Sequence, residues 1–129
     1  MKDMVNNMTN KEIVEKMYEV VFNGHNLNRA GEFIKEDYIQ HNPKVKTGLA
    51  GFIEYFTAHF QKAPDFKFEI KRIIAEGDYV VVHGHATAGC QGNGGAVADI
   101  YRFENGKAAE HWDILQMVPS EFAHDNGMF

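Results

Sequence analysis

The chain has very little cysteine and no concentration of positive charge. One of its 129 residues is cysteine, Cys90, so no internal disulfide can form. No CxxC pair or mixed Cys/His spacing offers a thiolate metal site. Thirteen Lys and Arg stand against eighteen Asp and Glu, for a formal net charge of −5. The basic residues are scattered, as at Lys67, Lys71 and Arg72, and no stripe exists to meet phosphates. Nucleic acid is thereby excluded as the main partner. No apolar run approaches the length of a membrane span. Residues 1–9 are polar and lack the apolar core of a secretory signal. With a lone cysteine and no signal, a cytoplasmic location is the expectation. Ser120 and Cys90 lack the strand-to-helix turn of a nucleophile elbow. The Gly-rich run 89–95 has no following helix and no Gly-Lys-Ser/Thr, so it reads as a loop rather than a phosphate cradle.

What the chain does have is bulky core material. Its apolar fraction is 44%, with ten Phe and five Tyr. This length suits one domain over residues 1–129 that removes about two-thirds of its unfolded surface from water. Thr9-Asn10-Lys11-Glu12 is a capping box that opens a helix carrying Ile13, Val14, Met17, Tyr18, Val20 and Val21, with Gly24 at its end. A short helix is predicted over 28–34, with Asn26 as its cap. Tyr38 to Asn42 is extended ahead of Pro43. Thr47 caps a third helix with Leu49, Phe52, Ile53, Phe56 and Phe60 on one face. After Pro64-Asp65 the pattern alternates as strands: Phe66 to Ile73, a turn at Gly77-Asp78, Tyr79 to Thr87, then a final hairpin. Helices first and strands afterwards predict an α+β fold with the helices on one face of an antiparallel sheet. Residues 1–8 and 119–129 read as flexible ends, with Phe122, Met128 and Phe129 available to dock on a partner subunit.

The final hairpin, residues 99–116, carries ionisable groups where a half-buried strand should be apolar. Asp99 is in line with Tyr101 and Phe103, while His111 and Asp113 are in line with Leu115 and Met117. Burying such groups costs several kcal/mol unless they are partnered, and breaks of this kind tend to mark function. The turn at Asn105-Gly106 decides whether the two acids meet. A two-residue loop pairs Phe103 with Ala108 and puts Asp99 beside Trp112, on the face opposite Asp113. A three-residue loop with Gly106 in a bulge pairs Phe103 with Lys107 and puts Asp99 on the side of His111 and Asp113. The second is expected, because it also gathers Val97, Tyr101, Phe103, Leu115 and Met117 on one apolar face.

Four histidines fall in extended segments: His41, His83, His85 and His111. Each taken singly reads as an ordinary core or rim residue, but several converging on one cavity would serve as acid, base or donor. His83 and His85 with His111 and an Asp form a conceivable metal set. Without Cys partners or a helical HExxH this is the weaker reading, and no metal or other cofactor is expected. Arg102 and Glu110 belong to the other face as an exposed ion pair, with Ile100, Trp112, Ile114 and Gln116. An apolar patch outside a sheet predicts a homodimer through that face.

Three pieces of the chain resemble the SnoaL-like polyketide cyclases of the nuclear transport factor 2-like superfamily. They are Tyr38-Ile39-Gln40-His41-Asn42-Pro43, the run 75–85 ending in Val82-His83-Gly84-His85, and the run 99–113 ending in Glu110-His111-Trp112-Asp113. The resemblance covers nearly everything after residue 9. It implies a cone-shaped, strongly curved antiparallel sheet wrapped around about three N-terminal helices, leaving one deep pocket. It also implies ring closure by intramolecular aldol condensation without a cofactor, on a pocket aspartate that corresponds to Asp113. Neighbouring His and Asn side chains that polarise carbonyls would be His41, Asn42, His83 and His111. Gly84 and a shorter loop near Cys90 depart from the dedicated cyclases.

The residues themselves are compatible with an acid/base enzyme acting on a small carbonyl compound, by condensation or isomerisation. Asp113 would be the base, tuned by His111 or His83, and His41, Tyr38 or Tyr101 would donate to the developing oxyanion. Asp99 beside Tyr101 would suit an isomerase, and His85 adds to the substrate-binding set. An epoxide hydrolase would need an Arg between two pocket acids, which neither Arg102 nor Arg72 is placed to supply. The alternative of another class is a dimeric module that binds a small molecule without turning it over.

Overall fold

A computed structural model describes residues 7–88 and 92–129. Residues 1–6 of the expected flexible end, and positions 89–91 of the Gly-rich loop with Cys90, lie outside the described residues. The capping box forms: Thr9 Oγ1 accepts the Glu12 N–H at 3.2 Å, and Glu12 Oε1 accepts the Thr9 N–H at 2.9 Å. Helix α1 (Asn10–Met17) follows. It then widens into a π turn, Tyr18–Asn23, where the spacing alone predicts an unbroken helix. The second helix is a 3₁₀ segment, Leu27–Glu32, because Ile34 already starts strand β1 (Ile34–Gln40). Asn26 makes no side-chain cap there.

Helix α2 (Gly48–Lys62) has Thr47 at its start, but the Thr47 side chain does not cap it. Its hydroxyl donates to the Tyr38 carbonyl at 2.9 Å and accepts the Gln40 N–H at 3.1 Å. Thr47 therefore clamps the end of β1, which carries part of the site. Strands β2 (Lys67–Glu76), β3 (Tyr79–Thr87), β4 (Gly95–Glu104) and β5 (Lys107–Met117) complete the chain. The sheet order is β1-β5-β4-β3-β2. The last four strands form an antiparallel meander, and β1 joins the edge parallel to β5. The sheet is thus mixed rather than wholly antiparallel. No hairpin links β1 to β5, and the long intervening chain allows parallel pairing.

The hairpin turn corrects the expected loop. Asn105 (φ 50°) and Gly106 (φ 80°) form a two-residue loop with Phe103 opposite Ala108. The register then slips: Arg102 pairs with Glu110, leaving Ala109 as an extra residue in β5. This bulge has the effect assigned to the longer loop. Asp99 stands opposite Asp113, and Tyr101 opposite His111. Further irregularities fall between Ile70 and Arg72 of β2 and between Ile34 and Ile39 of β1. Bulges bend strands, and here they curve the sheet about the helices.

The concave face packs on the helical layer through fully buried Ile13, Val14, Met17, Val21, Phe33, Ile34, Val80 and Val82. Each such side chain contributes about 1.5–3 kcal/mol by leaving water. Gly84 sits on this face for a steric reason. A Cβ there would lie 2.2 Å from the Phe68 ring and 2.7 Å from the Glu69 carbonyl oxygen. Its absence lets Phe68 lie against β3. On the convex face, Arg102 Nε bonds Glu110 Oε1 at 2.9 Å, as the alternation predicts. Phe129 lies on that face of its own chain, with ring centroids 4.7 Å from His85 and 5.7 Å from His83.

Candidate active site

Between the concave face, the π turn and α2 lies a cavity of about 210 Å³. One side is aromatic, with Phe22, Phe52, Phe56, Phe66 and Phe68. The other is polar and comes from the end of β1 and the middle of β4 and β5: Tyr38, Gln40 and Asn42 from β1 and the residues after it, Asp99 and Tyr101 from β4, His111 and Asp113 from β5. Tyr18 reaches the same place from the π turn. π turns often occur at functional sites, and this one brings a helix residue onto the acids.

The polar groups form one connected network. Tyr18 donates its hydroxyl hydrogen to Asp99 Oδ2 at 2.6 Å, and the Tyr101 hydroxyl lies 2.8 Å from the Tyr18 oxygen. Because Tyr18 spends its proton on the carboxylate, Tyr101 is the donor between the phenols. Asp99 Oδ1 lies 2.9 Å from His111 Nε2, and His111 Nδ1 lies 2.8 Å from Gln40 Oε1. The Gln40 oxygen also accepts the Asn42 N–H at 2.9 Å, which orients the amide and makes His111 Nδ1 a donor. Nε2 is the ring nitrogen that faces Asp99. The imidazole lies between Tyr38 and Tyr101, at centroid distances of 6.1 and 4.9 Å.

The two acids differ in what holds them. Asp99 is 7% exposed and has both oxygens engaged. Asp113 is half-buried, and among the described residues its one side-chain hydrogen-bond partner is the Asn42 amide, at 2.9 and 3.1 Å to its two oxygens. Asn42 Oδ1 in turn accepts the Lys44 N–H at 2.9 Å, so the amide nitrogen is the end that faces Asp113. Burial, then the nearby Asp99 charge, pushes the Tyr18, Tyr38 and Tyr101 phenols well above their ordinary value. All three stay protonated donors near neutral pH. The Tyr38 hydroxyl has no hydrogen-bond partner among the described residues, and Tyr38 lines the cavity.

Six of the sequence-derived site residues meet here: Tyr38, Asn42, Asp99, Tyr101, His111 and Asp113. Three do not. His83 and His85 point to the convex face, because the concave side of β3 is taken by Val80, Val82 and Gly84. His83 contacts Arg72, and His85 Nε2 lies 2.7 Å from the Asn93 carbonyl oxygen. His41 also faces outward, stacked 5.0 Å from Trp112 and 2.7 Å from Glu110. The metal set built on His83 and His85 fails for the same reason. Asp99, His111 and Asp113 do bring ligand atoms within 4.8 Å of one another. An ion there would have to break the Asp99–His111 and Tyr18–Asp99 bonds, so the donor set fits a closed hydrogen-bond network better than coordination.

Sequence reasoning missed Tyr18 and Gln40. Tyr18 reads as part of a helical apolar stripe, and nothing local shows its hydroxyl meeting a residue 81 positions away. Gln40 was within reach, since alternation puts Tyr38, Gln40 and Asn42 on one side and Ile39 and His41 on the other.

The family model of SnoaL-like polyketide cyclases matches residues 12–122. The chain belongs to this family. Among solved structures, this SnoaL-like chain is similar to a candidate polyketide cyclase of Acidithiobacillus ferrooxidans, with 21% identity and a TM-score of 0.72 over 84% of this chain and 89% of the other. A SnoaL-like polyketide cyclase of Agrobacterium tumefaciens matches with 19% identity and a TM-score of 0.69 over 84% and 92% of the two chains. A candidate ketosteroid isomerase of Kribbella flavida matches with 18% identity and a TM-score of 0.70 over 92% and 83%. At these identities the likeness concerns the fold. No curated protein matches the chain significantly.

Proposed function

We propose that this chain is a cofactor-independent acid/base enzyme acting on a small carbonyl compound, with Asp113 as the proton-transferring group. The observation that carries the reading is the unequal treatment of the two facing carboxyls. Asp99 has both oxygens engaged by Tyr18 and His111, whereas Asp113 is held, among the described residues, by the Asn42 amide and borders the cavity. The Asp113 carboxylate would remove a proton α to a carbonyl, and the free Tyr38 hydroxyl would donate to the enolate oxygen. In a condensation the enolate carbon bonds to a second carbonyl carbon of the same molecule, and the new alkoxide takes the proton back from Asp113. In an isomerisation the same proton returns at another carbon of the conjugated system. His111 has both nitrogens engaged, so it and Asp99 act as positioning residues that fix the charge beside the base. Membership of a cyclase family and the isomerase among the similar structures support both outcomes.

Asp113→Asn should lower turnover by about 10²–10⁴-fold while leaving the thermal midpoint nearly unchanged. The check is product formation from a panel of β-dicarbonyl and enone compounds. A ligand retained unchanged by wild type on long incubation would return the chain to a binding module.

The convex face supports a second copy as partner. Ile74, Tyr79 and Ile114 are 61%, 47% and 67% exposed there, and the Tyr79 ring lies 6.3 Å from that of Trp112. Light scattering should give twice the monomer mass, and Ile114→Lys should shift it to the monomer. A wild-type monomer at micromolar concentration would refute the pairing. Among the described residues no helix is long and apolar enough to cross a membrane. The lone cysteine suits a cytoplasmic protein.

A further inference from the structure

Two properties of the cavity narrow the ligand beyond its being a carbonyl compound. The first is charge. Among the described residues no Lys or Arg lines it, while two carboxyls do. A carboxylate or phosphate ligand would be buried beside Asp99 and Asp113 with no fixed cation to offset the repulsion. The second is size. A cavity of about 150 Å³ accepts benzene, and drug-sized ligands occupy about 300–1,000 Å³. At about 210 Å³ this one holds a single ring with a short substituent.

A third observation gives the ligand a direction. Tyr55 and His59, one turn apart on α2, line the cavity, with their rings stacked 5.7 Å apart. Neither side chain has a hydrogen-bond partner among the described residues. His59 packs on Phe66 at 5.1 Å, two residues before Phe68, which pairs with Ala86; Ala86 pairs with Gly95, four residues along β4 from Asp99. Four strand residues span about 13 Å. The cavity thus has a polar end at the acids and a second one at α2, with Phe rings between. Burial, then Lys62 and His25 nearby, holds the His59 imidazole below its ordinary value, so it is a neutral donor or acceptor rather than an anion site.

Resting on the reading that this cavity is the site of chemistry, we infer that the ligand is an uncharged one-ring carbonyl compound whose far end carries a hydroxyl read by Tyr55 and His59. The carbonyl lies at Tyr38 and Asp113, the ring packs among Phe22, Phe56 and Phe68, and the hydroxyl meets the α2 pair. Tyr55 and His59 are thereby specificity-determining residues with no part in the proton transfer.

Calorimetric titration with four probes tests this: 4'-hydroxyacetophenone, acetophenone, 4-hydroxybenzoate and the tetracyclic ketone androstenedione. The hydroxyketone should bind more tightly than acetophenone, and the carboxylate and the tetracycle should not bind measurably. Tyr55→Phe, which removes one oxygen and keeps the ring, should weaken the hydroxyketone about three- to tenfold more than acetophenone. His59→Leu should do the same. Binding of the carboxylate or the tetracycle as tight as the hydroxyketone overturns the inference. So does equal weakening of both ketones by Tyr55→Phe, or failure of both to bind at millimolar concentration. In the same samples, deuterium exchange at the ketone α-carbon reads the enzymatic proposal separately. Wild type without Asp113-dependent exchange, but with the predicted binding order, removes the enzyme reading and leaves this inference standing.

Discussion

Asp99 and Asp113 face each other across two strands, and their surroundings give them different work. Tyr18 is the residue that makes the difference, because its hydroxyl occupies the Asp99 oxygen that His111 leaves free. Tyr18→Phe would leave a buried carboxyl oxygen without a donor and the Tyr101 hydroxyl without its acceptor. The expected loss of stability is about 1–3 kcal/mol by urea unfolding, more than an ordinary surface change gives. Tyr38→Phe removes a hydroxyl with no hydrogen-bond partner among the described residues, so it should cost little stability. It should instead lower kcat by about 10²–10³-fold if that hydroxyl meets the enolate. The two tyrosines therefore separate scaffold from chemistry when both are measured for stability and turnover.

At the scale of elements, two departures from regular geometry build the site. The bulge at Ala109 turns the outer half of β5 over, so that His111 and Asp113 face inward despite the short turn at Asn105-Gly106. The bare backbone at Gly84 admits the Phe68 ring. Gly84→Ala forces a methyl group into that ring and the Glu69 carbonyl, and overpacking of this kind costs about 1–3 kcal/mol. Thermal unfolding should show a lower midpoint, and binding of ring ligands should weaken as Phe68 is displaced. An unchanged midpoint would mean that the ring contributes nothing to fixing the sheet.

For the whole molecule, the convex side carries an ion ladder that ties β1, β4 and β5 together. Lys35 holds Glu104 at 2.7 Å, Arg102 bonds Glu104 and Glu110, and His41 lies 2.7 Å from Glu110. Lys35, then Arg102, lowers the Glu104 carboxyl from 4.5 to about 2. His41 and Arg102 lower that of Glu110. A carboxyl depressed on folding stabilises the folded form above its unfolded value, and that contribution is lost as pH falls through the folded value. For Glu104 the loss falls between about pH 4.5 and 2. Glu104→Gln should accordingly lose less stability than wild type across that window in urea titrations, and salt should narrow the difference.

Much of this was legible in the residues taken in order. The capping box at Thr9, the apolar spacing of α2, the alternation of β2 to β5 and the misplaced acids of the final hairpin are all short-range patterns. Each follows from the period of its own element, and with the resemblance of residues 38–43, 75–85 and 99–113 they establish an α+β fold and pick out Asp99, His111 and Asp113. Tertiary packing decided the rest. A two-residue turn and a later bulge give the same facing as a longer loop, and nothing within the hairpin distinguishes them until the helical layer demands a buried Ala108 and Ala109. His83 and His85 resemble site residues until Val80 and Val82 take the inner side of β3. Tyr18 becomes part of the site only where a helix crosses a strand 81 residues later in the chain. Local periodicity assigns faces relative to one another, and only the contact between layers says which face is inside.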